Sequence, residues 1–335
     1  MGWSPRLGRR VMAAGALALA GLTAAAGPAL AGPAPGSQVP APTLSRMLLS
    51  WSFNPLVTVG LLAAAIAYLQ GRRHLAAEGV AWPARRTVYF LSGIAAIALA
   101  LLSPVEAYDT ALFSVHVVQH MLLTMAAAPL LVLGAPVTLA LRVSRGRNRR
   151  RLTRVLHSPP LRVIGNPLVA WVLFTMSLYA LYFSPLFDLS LRQPFVHDLV
   201  HLHFLAVGLL FWWPVVGLDP SRWRLPHIAR LGFVFLMVPF HAFLGVAIMN
   251  SGRVLAPTLE TFQRTWGPTP LADQQTGGAI LWGAGDLIAI VAVLGVLISW
   301  ASYEEKVVAA REDRRQARAR AAGQPARPVS RPPLP

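Results

Sequence analysis

A chain of 335 residues that is 55% hydrophobic and only 13% charged, with a mean hydropathy of +0.53, belongs with polytopic membrane proteins rather than soluble domains. Its net charge of +17 does not mark a nucleic-acid binder, because the basic residues sit between apolar runs, as cytoplasmic loop charges do. The absence of cysteine excludes disulfides and thiolate metal sites, and leaves His, Met, carboxylate and backbone groups as metal ligands.

The chain opens on the basic segment MGWSPRLGRR, continues through small apolar residues from Val11, and reaches Ala29-Leu30-Ala31 before Gly32. That order predicts a signal peptide over residues 1–31, with an uncleaved anchor helix as the other reading. Residues 32–48 are Pro-rich and predict an unstructured linker. A membrane domain over 49–305 follows, then a basic tail over 306–335 that begins as a helical extension and frays into disorder.

Within the membrane domain seven apolar stretches approach the length needed to cross a bilayer: Asn54–Gln70, Thr87–Leu102, Ala111–Val132, Pro167–Phe183, Val196–Val216, Ile228–Met249 and Gly278–Trp300. The fold class is therefore all-α, a bundle of seven transmembrane helices, since neither sequence repeats nor the alternation of a membrane β-barrel is present. Loops at 71–86, 142–163 and 218–230 are rich in arginine, and the tail adds Lys306, Arg311, Arg314 and Arg315. The intervening loops carry little net positive charge, so the mature N-terminus faces outward and the tail faces the cytoplasm of a bacterial plasma membrane. The basic runs are topology determinants, with contact to anionic membrane lipid as a secondary role.

Nine histidines fall into two sets. His74, His157 and His227 lie in basic loops and are expected to be solvated, whereas His116, His120, His197, His201, His203 and His241 fall in the outer half of a span or at its mouth. From the helical rise, His116 and His201 lie roughly 8 Å deep, His203 roughly 10 Å, His241 and Asp286 roughly 12 Å, and His120 roughly 14 Å. His116 and His120 are four apart, as are His197 and His201, so each pair shares one helical face. Asp109 joins the first face if that helix begins early, and Met237 shares a face with His241. Pro239 frees the Phe235 carbonyl and is expected to kink the sixth span just below His241.

Two readings of these residues stand side by side. A single intramembrane histidine, like Met121, Met125 or Met249, is ordinarily a packing residue, and His203 faces away from His201 as a hydrogen-bonding one. Two i,i+4 pairs, a fifth histidine and an acid at similar depth instead point to a metal held by His116, His120, His197, His201, His241 and Asp286. Imidazole with available thioether and no thiolate suits copper best, zinc or iron less well. A haem between histidines of the third and fifth spans is the alternative, although i,i+4 pairs serve a small metal centre more naturally. No nucleophile triad, phosphate loop or hydrolytic acid pair is present, so the chain is not read as an enzyme.

The segments HVVQHMLLTMAAAPLLVLGAPV (His116–Val137), HDLVHLHFLAVGLLFWWPVVG (His197–Gly217), PFHAFLGVAIM (Pro239–Met249) and DQQTGGAILWGAGD (Asp273–Asp286) occur in the order seen in the multi-span CtaG family of bacterial cytochrome c oxidase assembly factors, which the chain resembles from about Leu49 to Glu305. The resemblance implies a plasma-membrane protein needed to make active haem–copper cytochrome c oxidase, working with its subunits to place or keep copper in the catalytic one. Matching positions include His116, Gln119, His120, Met121, His197, Asp198, His201, His203, His241, Asp273, Gln274, Gln275, Gly277, Gly278, Trp282 and Asp286. Copper ligation itself is inferred from the residues. A haem-bearing electron carrier, a copper permease and a scaffold that docks on the oxidase are the competing functions.

Overall fold

The structure is a computed structural model and describes residues 33–321; the expected signal peptide or anchor at 1–31 and the end of the tail lie outside them. Asn54 and Asn166 start two of the long helices: each is followed by proline at the first helical position, and each side chain accepts backbone N–H groups of the first turn. In chain order the helices that build the bundle are α1 (Pro55–Ala77), α2 (Ala84–Leu102), the short α3 (Pro104–Tyr108), α4 (Phe113–Met121), α5 (Ala128–Leu133), α6 (Pro136–Val143), α7 (Pro167–Tyr182), α8 (Leu186–Arg192), α9 (Pro194–Val216), α10 (His227–Phe235), α11 (Met237–Met249) and α12 (Pro270–Ala321). The only β-pairing among the described residues is an isolated bridge between Gln38 and Gln263.

Six of these stretches are long and apolar enough to cross a membrane, against the seven spans expected from sequence. The fourth expected span differs: α7 has only 16 residues and is followed, after a 70° bend, by α8. Pro185 sits at that bend, where it disfavours a helical conformation of Ser184 before it. Before α7 the Arg162 carbonyl accepts the Trp223 indole N–H, at the end where Arg145 pairs with Glu78. After α8, Arg192 donates to the Thr258 hydroxyl and Asp188 accepts the Thr258 N–H, at the opposite end.

α4 to α6 form one irregular span. Residues Leu122–Ala127 adopt a π-helical turn between α4 and α5. Pro129 supplies the cause: it has no N–H to donate, and its ring would strike the Met125 carbonyl in a regular helix, so the wider turn removes the clash. Below it, Ala135 takes the left-handed conformation (φ 51°) before Pro136 restarts the helix. Asp219, from the loop after α9, caps that restart by accepting the backbone N–H groups of Val137 and Thr138 and the Thr138 hydroxyl.

The third span is 56% buried and α9 50%, whereas α1 is 11% buried and α12 22%, which makes α4 and α9 the inner helices. α2, α9 and α12 surround the third span, α7 packs on α9, and α11 lies along α12. α11 and α12 cross at Gly245 and Gly278, where a Cβ on either would come within 2.8 Å of the other's carbonyl oxygen. α10 ends at Phe235, whose carbonyl Pro239 leaves without its helical donor, and α11 resumes after a single-residue break at Leu236, the two together forming one span, His227–Met249. Beyond the expected span α12 runs on as helix through Ala321.

Candidate metal centre

The tight connection between α2 and α4 builds one wall of the site. Ser103 caps α3 by accepting the Val105 N–H, and this turn returns the chain so that Asp109 and Glu106 face the histidine-bearing helices. α4 then begins at Phe113, and Asp273 at the head of α12 accepts the Ser114 hydroxyl (2.5 Å) and its N–H (3.4 Å). A carboxylate there accepts one free N–H of the first turn, that of Ser114, and fixes the rotation of α4.

With α4 so held, its two histidines meet the two of α9 in a ladder. The ring centroids of His116 and His120 are 4.1 Å apart, and those of His197 and His201 4.3 Å apart. Across the helices His116 lies 5.8 Å from His197, and His120 lies 5.6 Å from His201. All four are at most 5% exposed, so they are withdrawn from bulk solvent. Phe187 packs on His116 (4.8 Å) and Phe204 stacks on His120 (4.6 Å).

Two carboxylates and one amide complete the cluster. His197 Nε2 bonds Asp109 Oδ2 at 2.6 Å, and His201 Nε2 bonds Gln119 Oε1 at 2.8 Å. The Gln119 amide N–H groups go to Glu106 Oε2 (2.6 Å) and the Ala100 carbonyl (3.0 Å), so its oxygen is left to accept, and His201 carries its proton on Nε2. The ligand atoms of Asp109, His116 and His197 lie within 4.8 Å of one another, and so do those of Glu106, His197 and His201. Both ring nitrogens of His116 and of His120, Nδ1 of His197 and Oδ1 of Asp109 are buried without a hydrogen-bond partner. An unpaired buried polar group costs about 1–3 kcal/mol, so a cluster of them fits a site completed by an ion better than a purely packed core. One carboxylate with imidazoles is a donor set suited to a borderline divalent metal.

His241 stands elsewhere. Its ring lies parallel to Phe174 at 6.0 Å and against Gly285; like His120 it belongs to neither three-residue group, but unlike His120 it is not stacked against the ladder's other rings. Its two ring nitrogens and Asp286 Oδ1 are also buried without partners, and Asp286 follows Gly285 directly. His203 shares a 2.7 Å hydrogen bond with Ser177, as expected of a residue facing away from the cluster. Of the histidines expected in solvated loops, His74 lies in α1 and pairs with Glu78, and His227 opens α10 against Trp300 and Tyr303, so both are half-buried. Met121 and Met125 pack in the hydrophobic core with Phe113, Val117 and Phe174.

In the sequence Glu106 reads as an outer-loop charge, and no local pattern marks Gln119 as the link between Glu106 and His201. One signal was available: Glu106 and Asp109 are three apart in SPVEAYD, on one face of a short helix next to the histidine-bearing span.

The linker also differs from expectation, because residues 37–39 form a strap rather than a free coil. Val39 is buried with Tyr108, Ala111, Leu112 and Phe262, next to the Asp109 turn. Its N–H donates to the Gln263 carbonyl, Gln263 N–H donates to Ser37, and the Trp266 indole donates to the Val39 carbonyl at 2.7 Å.

Uncharacterised proteins from Mycobacterium bovis and Mycobacterium tuberculosis are each 40% identical to this chain over 288 residues, covering 83% of it and 43% of their own length. One from Mycobacterium leprae is 37% identical over 288 residues, covering 83% and 44%. The chain thus spans less than half the length of these relatives. No solved structure matches it. The model of the cytochrome c oxidase caa3 assembly factor family matches residues 65–302, a range that takes in the whole histidine ladder and its carboxylates. By that match the chain belongs to the cytochrome c oxidase caa3 assembly factors, Caa3_CtaG.

Proposed function

We propose that this protein matures haem–copper cytochrome c oxidase by holding copper in the ladder formed by His116, His120, His197 and His201, and by helping to metallate the catalytic subunit. The observation that carries copper ligation is the set of buried, unpartnered ring nitrogens on two facing i,i+4 histidine pairs, beside Asp109. His241 and Asp286 are a second pair of candidate ligands, supported by their own unpartnered polar atoms. The charge bias of the loops supports a plasma-membrane orientation with the ladder toward the outer face and the basic tail in the cytoplasm. A site at that depth can exchange copper with donors outside the membrane and with an intramembrane centre of the oxidase. The membrane domain, 49–305, carries this role, and no chemical turnover is assigned to it.

Two alternatives fit less well. A haem plane between the α4 and α9 histidines is opposed by Phe187 and Phe204, which already pack on the rings. A permease path is opposed by Phe204, Phe211 and Trp212, which fill the core on the inner side of the ladder. The test is metal analysis with an optical spectrum on one purified sample. Near-stoichiometric copper, lost in both His120→Ala and His201→Ala, is expected. Copper retained by both variants would remove the four-histidine ladder as the site, and a Soret band would favour the haem carrier.

A further inference from the structure

Two carboxylates share the ladder, and among the described residues neither is paired with a lysine or arginine. Among the described residues, the ion pairs made by arginine join Arg145 to Glu78 and Arg192 to Asp188, at the ends of the bundle. Asp109 and Glu106 meet only imidazole and amide groups, and Asp198, next to His197 in the chain, adds a third half-buried acid. Lone charges in a low-dielectric interior are costly unless balanced, so the site as a whole favours more than one positive charge.

The two three-residue groups are not equivalent. In Glu106–His197–His201, Gln119 already pairs the Glu106 carboxylate with the His201 ring. In Asp109–His116–His197, Asp109 Oδ1, both His116 nitrogens and His197 Nδ1 remain unpartnered, with Asp109 1% and His116 0% exposed. An ion therefore gains most in the second group. Its donors are one carboxylate and two imidazoles, hard to borderline in character, while the thioethers of Met121 and Met125 lie in the hydrophobic core. Such a set selects against a soft monovalent ion.

We infer that Asp109, His116 and His197 form a site for a divalent ion, with Glu106, held by Gln119, as the second counter-charge. Taken with the proposed function, on which this identification rests, the ion is copper in its oxidised state. Gln119 and Glu106 act as positioning residues: they hold His201 and the far wall of the ladder in place without being first claimed by the ion.

The experiment is a titration of the full-length protein in detergent with Cu(II), with Zn(II), and with Cu(I) under reductant against a Cu(I)-selective chelator. Cu(II) and Zn(II) are expected to bind, with Cu(I) weaker by about tenfold or more. The Cu(II) electron paramagnetic resonance spectrum should show coupling to imidazole nitrogen. Asp109→Asn and Glu106→Gln, which keep side-chain volume, should weaken Cu(II) by about 10–100-fold and leave Cu(I) within about twofold. Cu(I) bound more tightly than Cu(II), or Cu(II) unaffected by Asp109→Asn, overturns the inference while copper ligation as such survives. If neither copper ion binds, both fall. Should a variant fail to fold, the preference of the wild-type protein between Cu(II) and Cu(I) decides the matter.

Discussion

Replacing Gln119 by leucine isolates the energetic role of the amide that ties the ladder together. The side chain is 0% exposed and makes three hydrogen bonds, to Glu106, Ala100 and His201. Leucine has similar bulk and fills the space, so packing is nearly conserved, and the cost comes from three polar groups left buried and unpaired. At about 1 kcal/mol or more for each group, the loss is about 3 kcal/mol or more, and the bond to the Glu106 carboxylate stands at the upper end of that scale. For a domain of this size that corresponds to a fall in Tm of roughly 6–12 °C. Tryptophan fluorescence of the purified protein during heating in detergent reads the shift. Combining Gln119→Leu with Glu106→Gln and His201→Phe should cost less than the separate changes together, because their partners are then already removed. A Gln119→Leu protein as stable as the parent, or strict additivity in the combination, would refute the proposed network.

Gly245→Val should prevent assembly of α11 on α12, since its Cβ would meet the Gly278 carbonyl oxygen at 2.7 Å and Trp282 Cβ at 2.8 Å, an overpacking cost of about 3 kcal/mol or more. Gly283→Ala, with nothing within 4 Å, should be neutral, and size-exclusion profiles of the two variants check the contrast. Trp266→Phe removes one of the bonds that hold the strap, worth about 1 kcal/mol, and should open the strap about fivefold more often. Limited proteolysis at residues 37–43 reads that opening, and an unchanged cleavage rate would show that the indole bond does not hold it. Burial raises the carboxyl of Asp219 above its ordinary value against the opposing effect of its bonds from Thr138 and Val137. The folded state therefore takes up the proton at higher pH than the unfolded chain does, and this group's stabilising contribution declines as pH rises through the window between the two values. The stability difference between wild type and Asp219→Asn should accordingly grow from pH 6 to pH 4, and a difference that shrinks on acidification would contradict it.

The cluster also explains why so many polar groups occupy an apolar span. Asp273, at the head of α12, sets the rotation of α4, Asp109 orients His197, and Gln119 orients His201. Each interaction crosses between elements distant in sequence, so the ladder exists only when α2, α4, α9 and α12 are assembled together.

Hydropathy and charge by themselves determined the membrane class, the all-helical fold, most of the spans and the enrichment of arginine in alternate loops, because these follow from the cost of leaving backbone or charge in hydrocarbon. Helical spacing likewise determined that His116 pairs with His120 and His197 with His201, since i and i+4 side chains share a face whatever surrounds them. Spacing does not say which faces of different helices meet. Assembly alone decided that the two pairs oppose one another, that His241 lies against Phe174 instead, and that Glu106 and Asp109 leave their loop to join the ladder. It also decided that the fourth expected span bends between α7 and α8, and that the Val39 carbonyl is bonded by the Trp266 indole. These outcomes depend on contacts between residues up to 227 positions apart, which no local pattern in the chain encodes.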